Sequence, residues 1–305
     1  MMRFLTATVL AWLFLVTAAT AQTGLERFER EIKPQIDLKS FTYASAEALG
    51  DSGFVLNQVV AVMPASPATG DKESTLKIDK MTVDAFDFER VKTMKDDELP
   101  RFAKMRLEGL SGDEDMFALL DPYGIPRVPI DLVLDYRRDG PSKVFTLNML
   151  EIAWRGQGKL GLSLVIDGVS EKSSEMASAK DEGRLRTASL TIDDKGLFPK
   201  LLQGIAKGQG QTAESWVAVA LVSIAAFCDG QGAATLKVLD AVASFIGDWK
   251  APAGPLVVGF KPAKTATMSD LDKVLEPDAL VDVFGMTASY PGTREGAAKA
   301  GPSAK

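Results

Sequence analysis

From about residue 74 to residue 193 the apolar positions recur with a period of two. Leu76 and Ile78 alternate with Lys77 and Asp79. Val128, Ile130, Leu132, Leu134 and Tyr136 alternate with Pro129, Asp131, Val133 and Asp135, and Leu160, Leu162, Leu164 and Ile166 with Gly161, Ser163, Val165 and Asp167. A strand that buries one face and wets the other leaves this pattern, and antiparallel sheets are where it is cleanest. Residues 143–154 read as a further strand between these two, joined to them at Asp139-Gly140 and Gly156-Gln157-Gly158, which are hairpin-turn sequences. Strands joined by short turns make a meander. One more strand is expected at 184–192, and an earlier one at 53–62 on Phe54, Leu56, Val59 and Val60.

After Asp193 the period lengthens to that of a helix. Leu197, Phe198, Leu201, Leu202 and Ile205 form one stripe, with Pro199 in the first turn, and Gly208-Gln209-Gly210 breaks it. Thr212 is an N-cap for a second helix, in which Trp216 to Cys228 is apolar at every position but Ser223. A third helix carries Leu236, Leu239, Val242, Phe245 and Ile246 on one face. A strand at Leu256–Phe260, a short helix near 271–275 and a last helical turn and strand at 280–290 complete the chain. Before the meander, Leu25, Phe28 and Ile32 suggest a short helix ended by Pro34, and residues 64–73 are a turn-rich connection.

Strands come first and helices afterwards, with no βαβ rhythm. The expected class is therefore α+β, a curved antiparallel β-meander sheet packed against a C-terminal helical layer. One domain over residues 22–290 accommodates it, sheet-rich over 53–192 and helix-rich over 194–285. Residues 291–305 are Gly, Ala, Lys, Pro and Ser with few apolar groups and read as a disordered tail.

The first residues carry an address. Arg3 precedes an apolar run from Phe4 to Val16, and Ala19-Thr20-Ala21 is a small-x-small cleavage site. This is the layout of a signal peptide over residues 1–21, cleaved after Ala21. The run is shorter than the roughly 20 residues a spanning helix needs, so no stable membrane anchor is expected after cleavage. Residue 22 is Gln rather than the acylated Cys of a lipoprotein, which points to a soluble periplasmic product.

Composition narrows the chemistry. The net charge is −6, and no Lys/Arg cluster stands out, which argues against nucleic acid as a partner. Histidine is absent and cysteine occurs once, so Ser-His-Asp and Cys-His catalysis, His-ligated zinc and an intramolecular disulfide are all excluded. Asp131 and Asp135 share a strand face about 13 Å apart, too far for a glycosidase pair by themselves. Asp96-Asp97-Glu98 and Asp113-Glu114-Asp115 lack calcium-loop spacing and read as solvated loops. No catalytic, metal or cofactor residue is assigned.

The apolar stretch Trp216–Cys228 reads most simply as a core helix between the sheet and its neighbours. Its alternative is a helix lining a site for lipid or another apolar ligand, with Trp216, Val219, Leu221 and Phe227 as the lining. Cys228, beside Asp229 at the helix end, reads as a buried small apolar residue that tolerates alanine better than serine.

The leader, the amphipathic meander and the segment Leu190-Thr-Ile-Asp-Asp-Lys-Gly-Leu-Phe198 leading into Ala-rich helices resemble uncharacterised exported alphaproteobacterial envelope proteins. More distantly, residues 74–290 are similar to large envelope proteins of the AsmA and YdgA type. The resemblance implies an envelope role in handling lipid or supporting outer-membrane integrity, although a retained anchor like that of the AsmA type is missing. The function expected first is a non-enzymatic exported envelope protein that binds lipid, another apolar ligand or an envelope partner. The alternatives are a His-free periplasmic hydrolase with paired carboxylates and a protein–protein interaction scaffold. Oligomeric state is left open.

Overall fold

A computed structural model describes residues 22–65, 72–93, 99–113, 121–170, 183–264, 266–267, 270 and 277–292. Residues 1–21, expected to be a leader, residues 66–71 of the turn-rich connection, Asp96-Asp97-Glu98, Glu114-Asp115, the short helix expected near 271–275 and residues 293–305 of the expected tail lie outside the described residues.

The strands are β1 (Ser40–Thr42), β2 (Ser45–Leu49), β3 (Gly53–Met63), β4 (Ser74–Phe86), β5 (Phe102–Gly112) and β6 (Ile130–Asp139), followed by β7 (Val144–Trp154), β8 (Gly158–Asp167), β9 (Arg184–Asp194), β10 (Leu256–Phe260), β11 (Ala266–Thr267) and β12 (Met286–Ser289). They form one antiparallel sheet in the order β1-β3-β4-β5-β6-β7-β8-β9-β10-β12, with β2 on β3 and β11 on β9. From β3 to β10 every strand pairs with its neighbours among the strands of the chain, as a meander requires. The expected α+β architecture is what the chain adopts.

Curvature comes from bulges. The register shifts between Val83 and Ala85, Leu107 and Leu110, Asp135 and Tyr136, Leu147 and Leu150, and Val165 and Ile166. An extra residue on one strand bends it and tightens its twist. Each shift also changes which parity of residue points to a given face. Leu147 and Leu150, three apart, therefore lie on the same face, as their partners Tyr136 and Leu134 do.

Helices cap the two ends of that face. At one end α1 (Gly24–Arg27) opens with a capping box between Thr23 and Glu26, then widens into a π-helical turn (Phe28–Ile32) and a 3₁₀ turn (Lys33–Gln35). Phe28 stacks on Phe54 at 4.6 Å, and with α2 (Phe88–Thr93) it buries Leu56, Val59, Ile78, Val83 and Phe88. At the other end stand α3 (Leu197–Gly208), α4 (Ala213–Phe227), α5 (Ala233–Gly247) and the short α6 (Pro277–Asp282). Asp194 caps α3 by accepting from the Phe198 N–H at 2.7 Å, and Thr212 caps α4 by accepting from the Ser215 N–H at 3.2 Å. Phe245 of α5 stacks on Phe198 and meets Tyr290 edge-on, which seals Leu256 and Val258 beneath. The helical layer thus covers the β9–β12 end of the sheet, and α1 with α2 covers the β3–β4 end.

Candidate functional site: an apolar face between two capped ends

Reading the register across the sheet places apolar side chains in continuous rows. One row runs Val83–Met105–Leu134–Leu150–Leu162–Leu190, extended by Phe54 and Val258 at its ends. The adjacent row runs Met81–Leu107–Leu132–Ile152–Leu160–Ile192. A third passes through Ala103, Tyr136, Leu147, Leu164 and Ala188.

Exposure changes along these rows in an informative way. Phe54 and Val83 are buried at one end and Val258 at the other, whereas Leu134, Leu150 and Leu162 between them are half-buried. The second row behaves alike, from fully buried Leu56 opposite Met81 to buried Leu256 opposite Ile192, with Leu132, Ile152 and Leu160 half-buried. The helices pack chiefly on β2, β3, β10 and β12 rather than on the middle strands, and the segment 121–129 brings Tyr123 against Gly204 of α3 and buries Ile125. The result is an apolar trough with capped ends. From β5 to β9, whose Met105, Leu107, Leu190 and Ile192 already meet the edges of the two capping clusters, it is four strand spacings wide, about 19 Å, and three rows occupy about 13 Å along the strands. That is a footprint on the order of 250 Å², lined by half-buried apolar side chains.

The opposite face is charged. Lys80 stands across from Glu108 and Lys104 from Asp135, and Lys159 donates to Glu151 at 3.1 Å. Arg155 grips Asp131 through Nε and Nη2, at 3.0 and 2.7 Å, and the Gly109 N–H adds a third bond at 2.7 Å. The arginine's hydrogen bonds dominate and hold the Asp131 carboxyl below the usual carboxylate range; partial burial opposes them, and the Gly109 bond assists. Asp135 accepts from Asn148 at 3.0 Å. A carboxylate pinned by arginine is a poor general acid, which argues against that role for Asp131. Among the described residues, no three acidic or thiol groups converge as metal ligands.

Asp131 provides a pH test. Its carboxyl titrates lower in the folded state than in the unfolded chain, so the stability it contributes is present above about pH 3.9 and lost as pH falls through the folded value. The pair is partly exposed, which limits its worth to about 1 kcal/mol or less. Arg155→Ala is therefore expected to lose that much at pH 7, and the gap to wild type should close in acid. Denaturation curves at several pH values check this, and a gap unchanged down to strong acid would refute the ion-pair account.

The four side chains expected to line a ligand site do not come together. Trp216 and Leu221 pack on the cluster of Leu202, Val217 and Trp249. Val219 and Phe227 point outward, 62% and 52% exposed, with Val222 at 49% beside them. α4 is thus not enclosed on all sides, contrary to its reading as a core helix. Its serines turn their hydroxyls back onto the helix, Ser223 to the Val219 carbonyl at 2.9 Å and Ser215 to that of Thr212 at 3.1 Å. No single described helix is long and apolar enough to cross a membrane; α3 and α4 together have the length and composition but are bent by 96°.

Cys228 is half-buried rather than buried, and its Sγ–H donates to the Ile224 carbonyl at 3.3 Å. A serine hydroxyl can make the same back-bond, which reverses the order expected from burial. Cys228→Ser is expected to change stability by less than about 0.5 kcal/mol in thermal unfolding. A loss above about 2 kcal/mol would show that the thiol is packed as a core group.

The sequence signal for the trough was present in each strand's alternation. What it could not supply is the register that aligns the strands and the concentration of the helices at the two ends of the sheet. A protein family described only as an uncharacterized protein matches residues 151–291, from within β7 to just past β12. No curated protein matches the sequence.

Proposed function

We propose that this chain is an exported envelope protein whose sheet face holds the acyl chain of a lipid. The observation that carries the reading is the buried, half-buried, buried sequence along the first two apolar rows. A trough about 19 Å wide suits one acyl chain, since a bilayer leaflet is about 15 Å of hydrocarbon. The leader at residues 1–21 and the resemblance to exported envelope proteins support a periplasmic location, with cleavage after Ala21. No catalytic step is part of this reading: binding and shielding of an apolar chain need no titrating group.

Organic extraction of the purified protein, followed by mass spectrometry, tests it. Co-purified fatty acid or phospholipid is the expected result. A chain that carries none, and that takes up neither when offered it, is not a lipid-binding protein. N-terminal sequencing of the exported product checks the leader, and a product that begins at Met1 would remove the periplasmic assignment.

A second reading, an interaction scaffold, has its own observation in the outward stripe of Val219, Val222 and Phe227 on α4. Val222→Asp is expected to change the oligomeric state or partner binding and to leave chain binding intact. Light scattering and a lipid titration separate the two readings.

A further inference from the structure

Beneath the π-helical turn lies an apolar cavity of about 160 Å³. Phe28, Ile32 and Ile36 form its roof, with Phe86 and Phe88 among its walls. Its floor includes Val83, Met81 and Met105, which are also members of the two apolar rows. The floor therefore continues, without a polar residue, from Met105 to Leu134 and from Met81 through Leu107 to Leu132. Met105 sits on the strand where the cover ends, and it is half-exposed. A cavity of about 150 Å³ with an all-apolar lining stays dry and admits a small apolar group. Two methionines in the floor add adaptability, because the unbranched thioether repacks around different shapes.

The roof is held from its polar side. Glu29, in the π-helical turn, accepts from the Tyr43 hydroxyl and from Lys33 at 2.9 Å, and the Lys33 ammonium lies 4.9 Å from the Tyr43 ring centre. These contacts tie the turn to the β1–β2 connection and leave its apolar side facing the cavity.

We propose that this cavity receives the terminal segment of an unbranched acyl chain whose remaining length lies in the trough. The inference rests on the reading of the trough as a chain-binding face. It adds a direction, with the methyl end under α1 and the head group toward the β9 side, and it adds a measure of chain length. A methylene moved from water into the cavity strengthens binding by about fourfold. Affinity should then climb along the series octanoate, laurate, palmitate and level off once the cavity is full.

Titration of the purified chain with that series tests the proposal, alongside Met105→Trp, which narrows the cavity, and Leu150→Glu, which charges the trough. Met105→Trp is expected to weaken palmitate by about tenfold or more, to the level of a shorter acid, and to leave octanoate unchanged. If its profile superimposes on that of wild type while Leu150→Glu weakens every acid, the trough reading stands and the cavity assignment is overturned. If wild type binds no acid, both fall. A measurement free of variants uses ¹³C-methyl methionine: the Met81 and Met105 signals should shift with palmitate and stay in place with octanoate. A palmitoyl lysophospholipid presents the same chain on a different head group. Shifts with either compound support the cavity as a chain-end site, and shifts with neither overturn it.

Discussion

Replacing Leu150 with glutamate is expected to leave the sheet folded and to abolish acyl-chain binding. Leu150 lies between Leu134 and Leu162 in the middle of the trough and is already half in water. A carboxylate there stays hydrated in the free protein, so the loss of stability should be about 1 kcal/mol. An arriving chain would have to strip that hydration, and a penalty of several kcal/mol corresponds to an affinity loss of about a hundredfold or more. The same substitution at Leu56, which is 0% exposed under the roof, puts a charge in a closed core. That cost competes with the whole stability of an ordinary domain, about 5–15 kcal/mol, so Leu56→Glu should not fold. Circular dichroism melts with a palmitate titration read both effects. If the two variants unfold alike, the middle of the sheet is covered and the trough does not exist.

The second large effect is expected at Gly24. A Cβ there would lie 2.4 Å from both the N and the O of Gly53, whose backbone belongs to β3 and cannot turn aside. The Gly24 N–H also donates to the Gly50 carbonyl at 3.0 Å, so the approach of α1 to the sheet is fixed at this point. Gly24→Ala should push α1 outward and cost about 2–3 kcal/mol, in the range of core overpacking. Gly50→Ala is the control. That glycine has φ +69 and open space around it, so alanine there meets only the backbone preference, about 1 kcal/mol. Urea denaturation should rank Gly24→Ala clearly below Gly50→Ala. Equal costs would mean that α1 does not depend on this contact, and the roof over the cavity would lose its anchor.

Much of the fold is legible from periodicity because each long strand keeps one face apolar and one polar. Leu132 and Leu134 face one way while Asp131 and Asp135 make polar contacts on the other, as the alternation indicates. The cap at Thr212 and the end of the meander at Asp194 are also local events, set by side-chain oxygens meeting the first amides of a helix. Bulges escape this reading. Leu147 and Leu150 break a period of two, and only the inserted residue between them restores a shared face. The short β1 and β2 form because β3 offers them an edge on which to pair, not because their own sequences favour strand. α4 misleads for a different reason: an apolar sequence records what a face is made of and not what lies against it. The trough escapes for that reason too, since eight strands must be in register before their individual stripes become one surface.

The bulged meander has a consequence for how such a protein can change. No strand between β3 and β10 is threaded between two that were laid down later, so the sheet grows by addition, like a ruler marked in strand widths. A hairpin duplicated at the turn between Asp139 and Val144, or at that between Trp154 and Gly158, would insert two strands without rerouting the rest. Each such insertion lengthens the face by about 10 Å and leaves both helical caps where they are relative to their own strands. Small genetic steps can therefore retune the length of the apolar face while the helical caps at its two ends are inherited unchanged.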